Sequence, residues 1–203
     1  MWFKKITGFS EESPYQVREN ISLNGNVLTS SVNGADLTCG TLEIISLANL
    51  RKLVSTDGFA FGKISVSEVI ANIQKLHVNE FNSYALFQVA SQFNLLEMAT
   101  PNLTPEHGVD IYENDYTQGP ACAIAAGAGT IYRNYFANVN GQIGQTTENQ
   151  IDCLMDIGVA LGNTNNRLWE MKNGYALFSH KGLIEIQHRL KSSTEIEFGL
   201  PLV

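Results

Sequence analysis

Two stretches decide the fold. The first is Tyr84-Ala85-Leu86-Phe87-Gln88-Val89-Ala90, continuing as Ser91-Gln92-Phe93-Asn94. The second is Asp115-Tyr116-Thr117-Gln118-Gly119-Pro120-Ala121-Cys122-Ala123-Ile124-Ala125-Ala126-Gly127-Ala128-Gly129-Thr130. A short apolar run bounded by polar residues predicts a buried strand over 84–90. That strand would deliver Ser91, Gln92 and Asn94 to its carboxyl end. Pro120 sits where the first turn of a helix tolerates it, so a helix is predicted over Pro120 to Phe136. Between them, Ser91 to Gly119 lapses into polar residues with Pro101, Pro105 and Gly108. A connection that long is functional or disordered more often than not.

Working outward, residues 1–35 read as short strands and turns, an N-terminal β extension punctuated by Asn24-Gly25 and Asn33-Gly34. Thr41 to Ile45 is a strand candidate. Ser46 is placed to cap a helix through Val54, with Leu47, Leu50 and Val54 three and four apart. Ser65-Val66-Ser67-Glu68 has the form of a capping box ahead of Val69, Ile70 and Ile73. Thr147 predicts the cap of a helix carrying Ile151, Leu154, Met155 and Val159. Leu168 to Met171 and Tyr175 to Phe178 flank Lys172-Asn173-Gly174, a hairpin signal. Gly182 to Leu190 alternates as a strand does, and a helix is the other choice. Interspersed strands and helices with no repeat and no linker predict one α/β domain over residues 1–203, a mixed central sheet flanked by helices in three layers.

Composition narrows the partners. Charged residues are 16% of the chain, against about 25% in typical soluble domains. Asn, with 19 copies, fills much of the gap and favours turns. A formal charge of −7 disfavours a nucleic-acid polymer. Cys39, Cys122 and Cys153 are scattered and odd in number, which fits neither a disulfide framework nor a structural metal site. No cofactor or metal is expected. No apolar run approaches the ~20 residues that span a bilayer, and no apolar signal stretch follows Met1, so a cytoplasmic protein with no membrane partner is expected.

The Gly/Ala run carries the chemistry. Gly and Ala let a backbone approach a ligand without side-chain interference. A helix starting there presents unpaired N–H groups and a positive dipole end, which bind phosphate without Lys or Arg. The competing explanation is tight helix packing alone. The run matches neither a P-loop nor a GxGxxG fingerprint.

The order of a buried strand, an Asn-containing turn, a variable loop and a small-residue loop entering a helix resembles the macro domain and the related ADP-ribose glycohydrolases. The resemblance implies a macro-domain-like fold that binds ADP-ribose or a related nucleotide diphosphate, with hydrolysis as the activity of the glycohydrolase branch. By it, Asn94 is the ribose-side residue, Gly119 to Ala123 form the diphosphate loop with Thr117, Gln118 and Ala121, and Asp36 is the adenine-contacting acid. Gly127, Gly129 and Gln92 would line the same cleft. The 24 residues between Asn94 and Gly119 leave room for a lid. The chain has neither three consecutive Gly followed by Gln-Glu-Glu nor an Asn-Ala-Ala-Asn turn.

Two alternatives stand beside it. Cys122 in the first turn of a helix would have a lowered thiol pKa. Gln118 would then serve an oxyanion, His180 or His188 would be the base, and Asn173 or Glu185 would orient it. Low charge and abundant Asn also suit a non-enzymatic interaction module with an apolar surface patch. Glu97 and Asp115 read as an acid–base pair across the loop, or as capping and solvated carboxylates. Arg133, between Tyr132 and Tyr135, would clamp a phosphate or stack on adenine, or lie over the tyrosine rings. His77 and His107 read as exposed loop residues, and Trp2 and Trp169 as core or interface. Gly141 to Thr147 would be a rim loop of the cleft or a hairpin tip.

Overall fold

The computed structural model describes residues 1–53, 62–70, 72, 75–76, 79–86, 92–114 and 126–192. The chain combines helices with small antiparallel sheets, so it is a mixed α/β protein. Among the described residues the sheets have three, two and two strands. No helix among them is long and apolar enough to cross a membrane.

The first 38 residues are more than strands and turns. Helix α1 (Trp2–Thr7) and helix α2 (Pro14–Asn20) precede β1 (Ile21–Asn24), β2 (Val27–Ser30) and β3 (Asp36–Thr38). Local signals start α2: the Ser13 side chain accepts from Gln16 N, and Pro14 opens the helix. Tertiary burial holds α1, whose Trp2 and Phe3 disappear into the core. The turns fall where the sequence puts them. Gly25-Asn26 closes β1 on β2 with Asn24 opposite Val27. Around Asn33-Gly34 the chain returns so that Thr29 faces Asp36.

This N-terminal unit is no appendage. Trp2, Phe3, Val17, Ile21 and Leu28 form one core with Val109, Tyr112, Ile131, Tyr135 and Phe136. Part of the stretch expected as a functional or disordered loop therefore builds a wall of the core. Leu96, Met98, Val109 and Tyr112 are completely buried, so both ends of the described stretch 95–114 are anchored in the core. Within this stretch a 3-10 turn, Asp110–Asn114, packs on α1.

Ser46 caps α3 (Leu47–Leu53) through Asn49 N, as expected. Other expectations fail. Thr41 to Ile45 is not a strand, because the Asn33-Gly34 turn places the pairing residues earlier, at Asp36–Thr38. Residues 62–70 form no helix after Ser65; Val66 is 91% exposed and Ile70 fully so. An amphipathic helix needs a surface to bury its apolar face, and these side chains have none. Tyr84 to Leu86 is not a buried strand. Asn79 caps a 3-10 turn at Glu80–Asn82, and Tyr84 has φ 65°, which no strand accommodates. Residues 87–90 and Ile73 lie outside the described residues.

Helix α4 (Ala128–Tyr135) realises the C-terminal half of the helix predicted over 120–136. Then Asn140-Gly141, with φ 51° and 85°, closes β4 (Asn138–Val139) on β5 (Gln142–Ile143), so Gly141 is a hairpin tip. Thr147 caps no helix. Its N and Oγ1 both bind the Glu106 carboxylate, and Asn149 and Gln150 make side-chain bonds of their own. Helix α5 (Met155–Leu161) starts eight residues later, after Ile151 and Leu154 have been buried. The Asn173-Gly174 hairpin joins β6 (Trp169–Lys172) to β7 (Tyr175–Phe178). The tail is helical, α6 (His180–Ser192).

Candidate functional site

The described part of the predicted site is the turn at residues 92–96 and the start of α4. The turn is built locally. Leu95 N donates to Gln92 O, and Asn94 Oδ1 accepts from Leu96 N at 3.1 Å. Leu95 is thereby held at φ 62°, a left-handed conformation that costs a leucine roughly 1–2 kcal/mol. Such outliers persist only where surroundings over-determine them, and they cluster at functional sites.

The surroundings here are explicit. Arg133, in the last turn of α4, donates from Nε to the Leu95 carbonyl at 2.7 Å and from Nη2 to Thr130 Oγ1 at 2.8 Å. Its side chain runs back along the helix, as helical side chains do, so Nη1 lies beside Gly129. A Cβ on residue 129 would stand 3.3 Å from that Nη1 and 3.4 Å from the Cys39 carbonyl. Arg133 thus joins the Asn94 turn to the helix start. Burial lowers the Arg133 pKa, and the nearby Glu97 and Tyr112 work in the other direction. Glu97 is itself buried, at 3% exposure.

The helix start is lean. Gly127 is extended and offers no side-chain cap, and its carbonyl receives both Thr130 N and Ile131 N. The first N–H groups of α4 and the positive end of its dipole are therefore left to other acceptors.

Asn94 has a different place from the expected one. It is fully buried beneath the β6–β7 hairpin, with its side chain against Gly174. Its Nδ2 donates to Gln150 Oε1 at 2.9 Å, and its carbonyl accepts Gln145 Nε2 at 2.9 Å. Gln150 in turn donates to Asn173 Oδ1, and Asn173 Nδ2 donates to the Pro101 carbonyl at 2.7 Å. Gln145 also binds the Arg133 carbonyl and receives Ile151 N. Asn94 therefore sets the shape of the turn, and its polar atoms are engaged within the protein. Gln92 lies beside it, with Nε2 3.4 Å from Tyr175 Oη.

The remaining candidates divide. Asp36 is on the exposed side of β3, where it accepts Thr29 Oγ1 at 2.6 Å; β3 packs on α4, but this carboxylate is not brought to the Asn94 turn. Asp115, Thr117, Gln118, Gly119, Ala121, Cys122 and Ala123 lie outside the described residues, as do Ser91 and His77. The partners proposed for Cys122 are committed or dispersed. Glu185 bridges Arg167 and Arg189 at 2.7 and 2.6 Å, Asn173 belongs to the amide network, and His180 and His188 are exposed on α6. His107 is exposed and bonds the Thr104 amide. Trp2 and Trp169 are both core residues. Among the described residues no cluster of His, Cys, Asp and Glu could hold a metal ion.

Sequence reasoning missed Gln150, and it had Gln145 only within the Gly141–Thr147 segment and Gly174 only as a turn residue. The Asn173-Gly174 turn was legible, but nothing local says that its tip covers Asn94. Comparison with protein-family models, curated proteins and solved structures finds no match.

Proposed function

We propose that this chain binds ADP-ribose or a related nucleotide diphosphate at the entrance to α4, next to the 92–96 turn. One observation carries the reading: Arg133 ties a turn in a strained conformation to an uncapped, glycine-bordered helix start. That combination supplies backbone amides, a helix dipole and a partly buried guanidinium to one anion. Gly127, with nothing within 4 Å of where a Cβ would stand, leaves room for a diphosphate to approach the backbone, and Gly129 lets the Arg133 guanidinium lie against the helix start. In this reading Asn94 and Gln145 are positioning residues, and the sugar and base are met by other groups. The proposal extends to the whole chain as a macro-domain-like, three-layer arrangement around a mixed sheet.

Calorimetric titration and thermal shift with ADP-ribose, AMP and NAD test the binding. Saturable heat with ADP-ribose, lost in Gly129→Val, is the expected result. The valine side chain would press on Arg133 Nη1 and the Cys39 carbonyl. No heat and no shift with any of the three ligands would remove the proposal.

A second reading has its own observation. Ile44, Val66, Ile70, Phe81 and Leu86 are large apolar side chains on the surface between residues 44 and 86. Contiguous exposed apolar surface marks protein-interaction sites. Light scattering coupled to size-exclusion chromatography tests it: a stable oligomer supports an interaction module, and a monomer that binds ADP-ribose supports the first reading.

A further inference from the structure

The sequence contains four Asn-Gly pairs, at 24–25, 33–34, 140–141 and 173–174. Asn-Gly is the pair most open to spontaneous deamidation, because glycine has no side chain to hinder its own nitrogen. The Gly N attacks the Asn Cγ, a C–N bond forms, and the side-chain nitrogen leaves as ammonia. Water then opens the resulting succinimide at either carbonyl, giving Asp or isoAsp. No oxidant, reductant or enzyme is needed.

All four pairs serve turns, yet the structure treats them differently. Asn173 is 7% exposed, with its amide bonded to the Pro101 carbonyl and to Gln150. Asn33 uses Nδ2 on the Ile6 carbonyl and Oδ1 on Ala35 N, while the attacking nitrogen, Gly34 N, is held by the Ser30 carbonyl. Asn140 donates to Asn149 Oδ1, and Gly141 N is held by Asn138 Oδ1. Asn24 is exposed at the end of β1, and its side chain makes no hydrogen bond among the described residues. Gly25 has φ 60°, and its N, the attacking nitrogen, makes no hydrogen bond among the described residues, in contrast to Gly34 N and Gly141 N.

We propose that Asn24 is a site of spontaneous deamidation in the folded protein, and that the other three pairs are protected by the bonds that build their turns. Conversion adds a negative charge to a chain already at −7. The isoAsp product inserts a methylene into the backbone of the hairpin that carries Ile21 and Leu28 into the core.

The test is peptide mapping by mass spectrometry of the intact chain after incubation in mildly alkaline buffer, run in parallel on the chain in urea. In the native sample Asn24 should convert roughly tenfold faster than Asn33, Asn140 or Asn173, a ratio set by their extra cost of local opening. In urea the four rates should converge. Native conversion at Asn140 or Asn173 that equals or exceeds that at Asn24 would overturn the proposal, as would an unconverted Asn24. A rate order that persists in urea would also overturn it, since sequence rather than structure would then set the order.

Discussion

Gly108 and Gly174 solve the same problem with opposite chemistry. Each has a positive φ, 84° and 80°, and each lets a polar side chain lie against the backbone where a Cβ would collide. At Gly108 the guest is the Glu11 carboxylate, which accepts Val109 N at 2.9 Å, Asp110 N at 2.8 Å and the Tyr135 hydroxyl at 2.5 Å. At Gly174 the guest is Asn94, the centre of a network of neutral amides. The first clamp fixes the N-terminal unit to the loop before residue 115. The second fixes the 92–96 turn under the β6–β7 hairpin. A buried charge depends on pH and carries a large desolvation cost, whereas a hydrogen-bonded amide network does not titrate and carries a smaller one.

The largest expected effects come from the glycines themselves. Gly174→Ala and Gly108→Ala each place a methyl group into the guest side chain while forcing alanine to a positive φ. Each should destabilise the fold by about 3 kcal/mol or more, read from urea midpoints. A cost under about 1 kcal/mol at Gly174 would show that the amide network can be displaced, and the two clamps would then not be equivalent.

Asn94→Ala comes next. It leaves Leu96 N and Gln150 Oε1 without their partner inside the protein, at a cost of roughly 2–3 kcal/mol. Because the network carries no formal charge, that cost should be the same at acidic and neutral pH. A pH-dependent cost would mean that Arg133 and the buried Glu97 take part in it.

Glu11→Gln separates the two regions by sign. Burial raises the Glu11 pKa above its ordinary value, with the bonds from Tyr135, Val109 and Asp110 opposing and the Asp110 charge adding. The titratable groups that face it are Tyr135, Tyr112 and Asp110. Just above the ordinary carboxylate range the folded chain holds more protons than the unfolded chain. The stability linked to Glu11 is therefore complete below that range and is lost as pH rises through the folded value. The introduced amide cannot titrate and turns an NH2 toward N–H donors, so the variant is less stable throughout. Its deficit should be largest in acid and shrink toward neutral pH, by at most about 1.4 kcal/mol per pH unit. A deficit that grows with pH would mean the amide bonds outweigh burial.

Turns were legible where Asn-Gly fixes a backbone that few other pairs adopt, and so the hairpins at 140–141 and 173–174 sit where the sequence puts them, while at 24–27 the turn pair is Gly25-Asn26, one residue further on. The Ser46 cap was legible as a local signal too, whereas the Pro120 start predicted for the helix that contains α4 lies outside the described residues. The role of Asn94 was not. Its position after an apolar run reads identically whether it faces a ligand or a hairpin, and the deciding contacts come from residues 145, 150 and 174. Nor was α1 legible, since what holds its start is distant in sequence: Trp2 and Phe3 are buried with Val109 and Tyr112, and their amides donate to Glu113 and Asp110.

The contrast between Ser13 and Ser65 gives the smallest expected effect. Both look like helix caps. Ser13 accepts from Gln16 N, and its helix buries Val17; after Ser65 the chain is irregular and Val66, Val69 and Ile70 face solvent. A cap satisfies one amide, worth ~1 kcal/mol, and cannot hold a short helix without a buried face. Val66→Ser and Ile70→Ser should therefore leave the unfolding midpoint within about 0.5 kcal/mol of the parent. A loss of several kcal/mol would mean that these side chains are covered in solution, and oligomeric state measured on the same variants would say whether a second copy covers them. If the midpoint holds while an oligomer dissociates, residues 62–70 belong to an interface and not to the core.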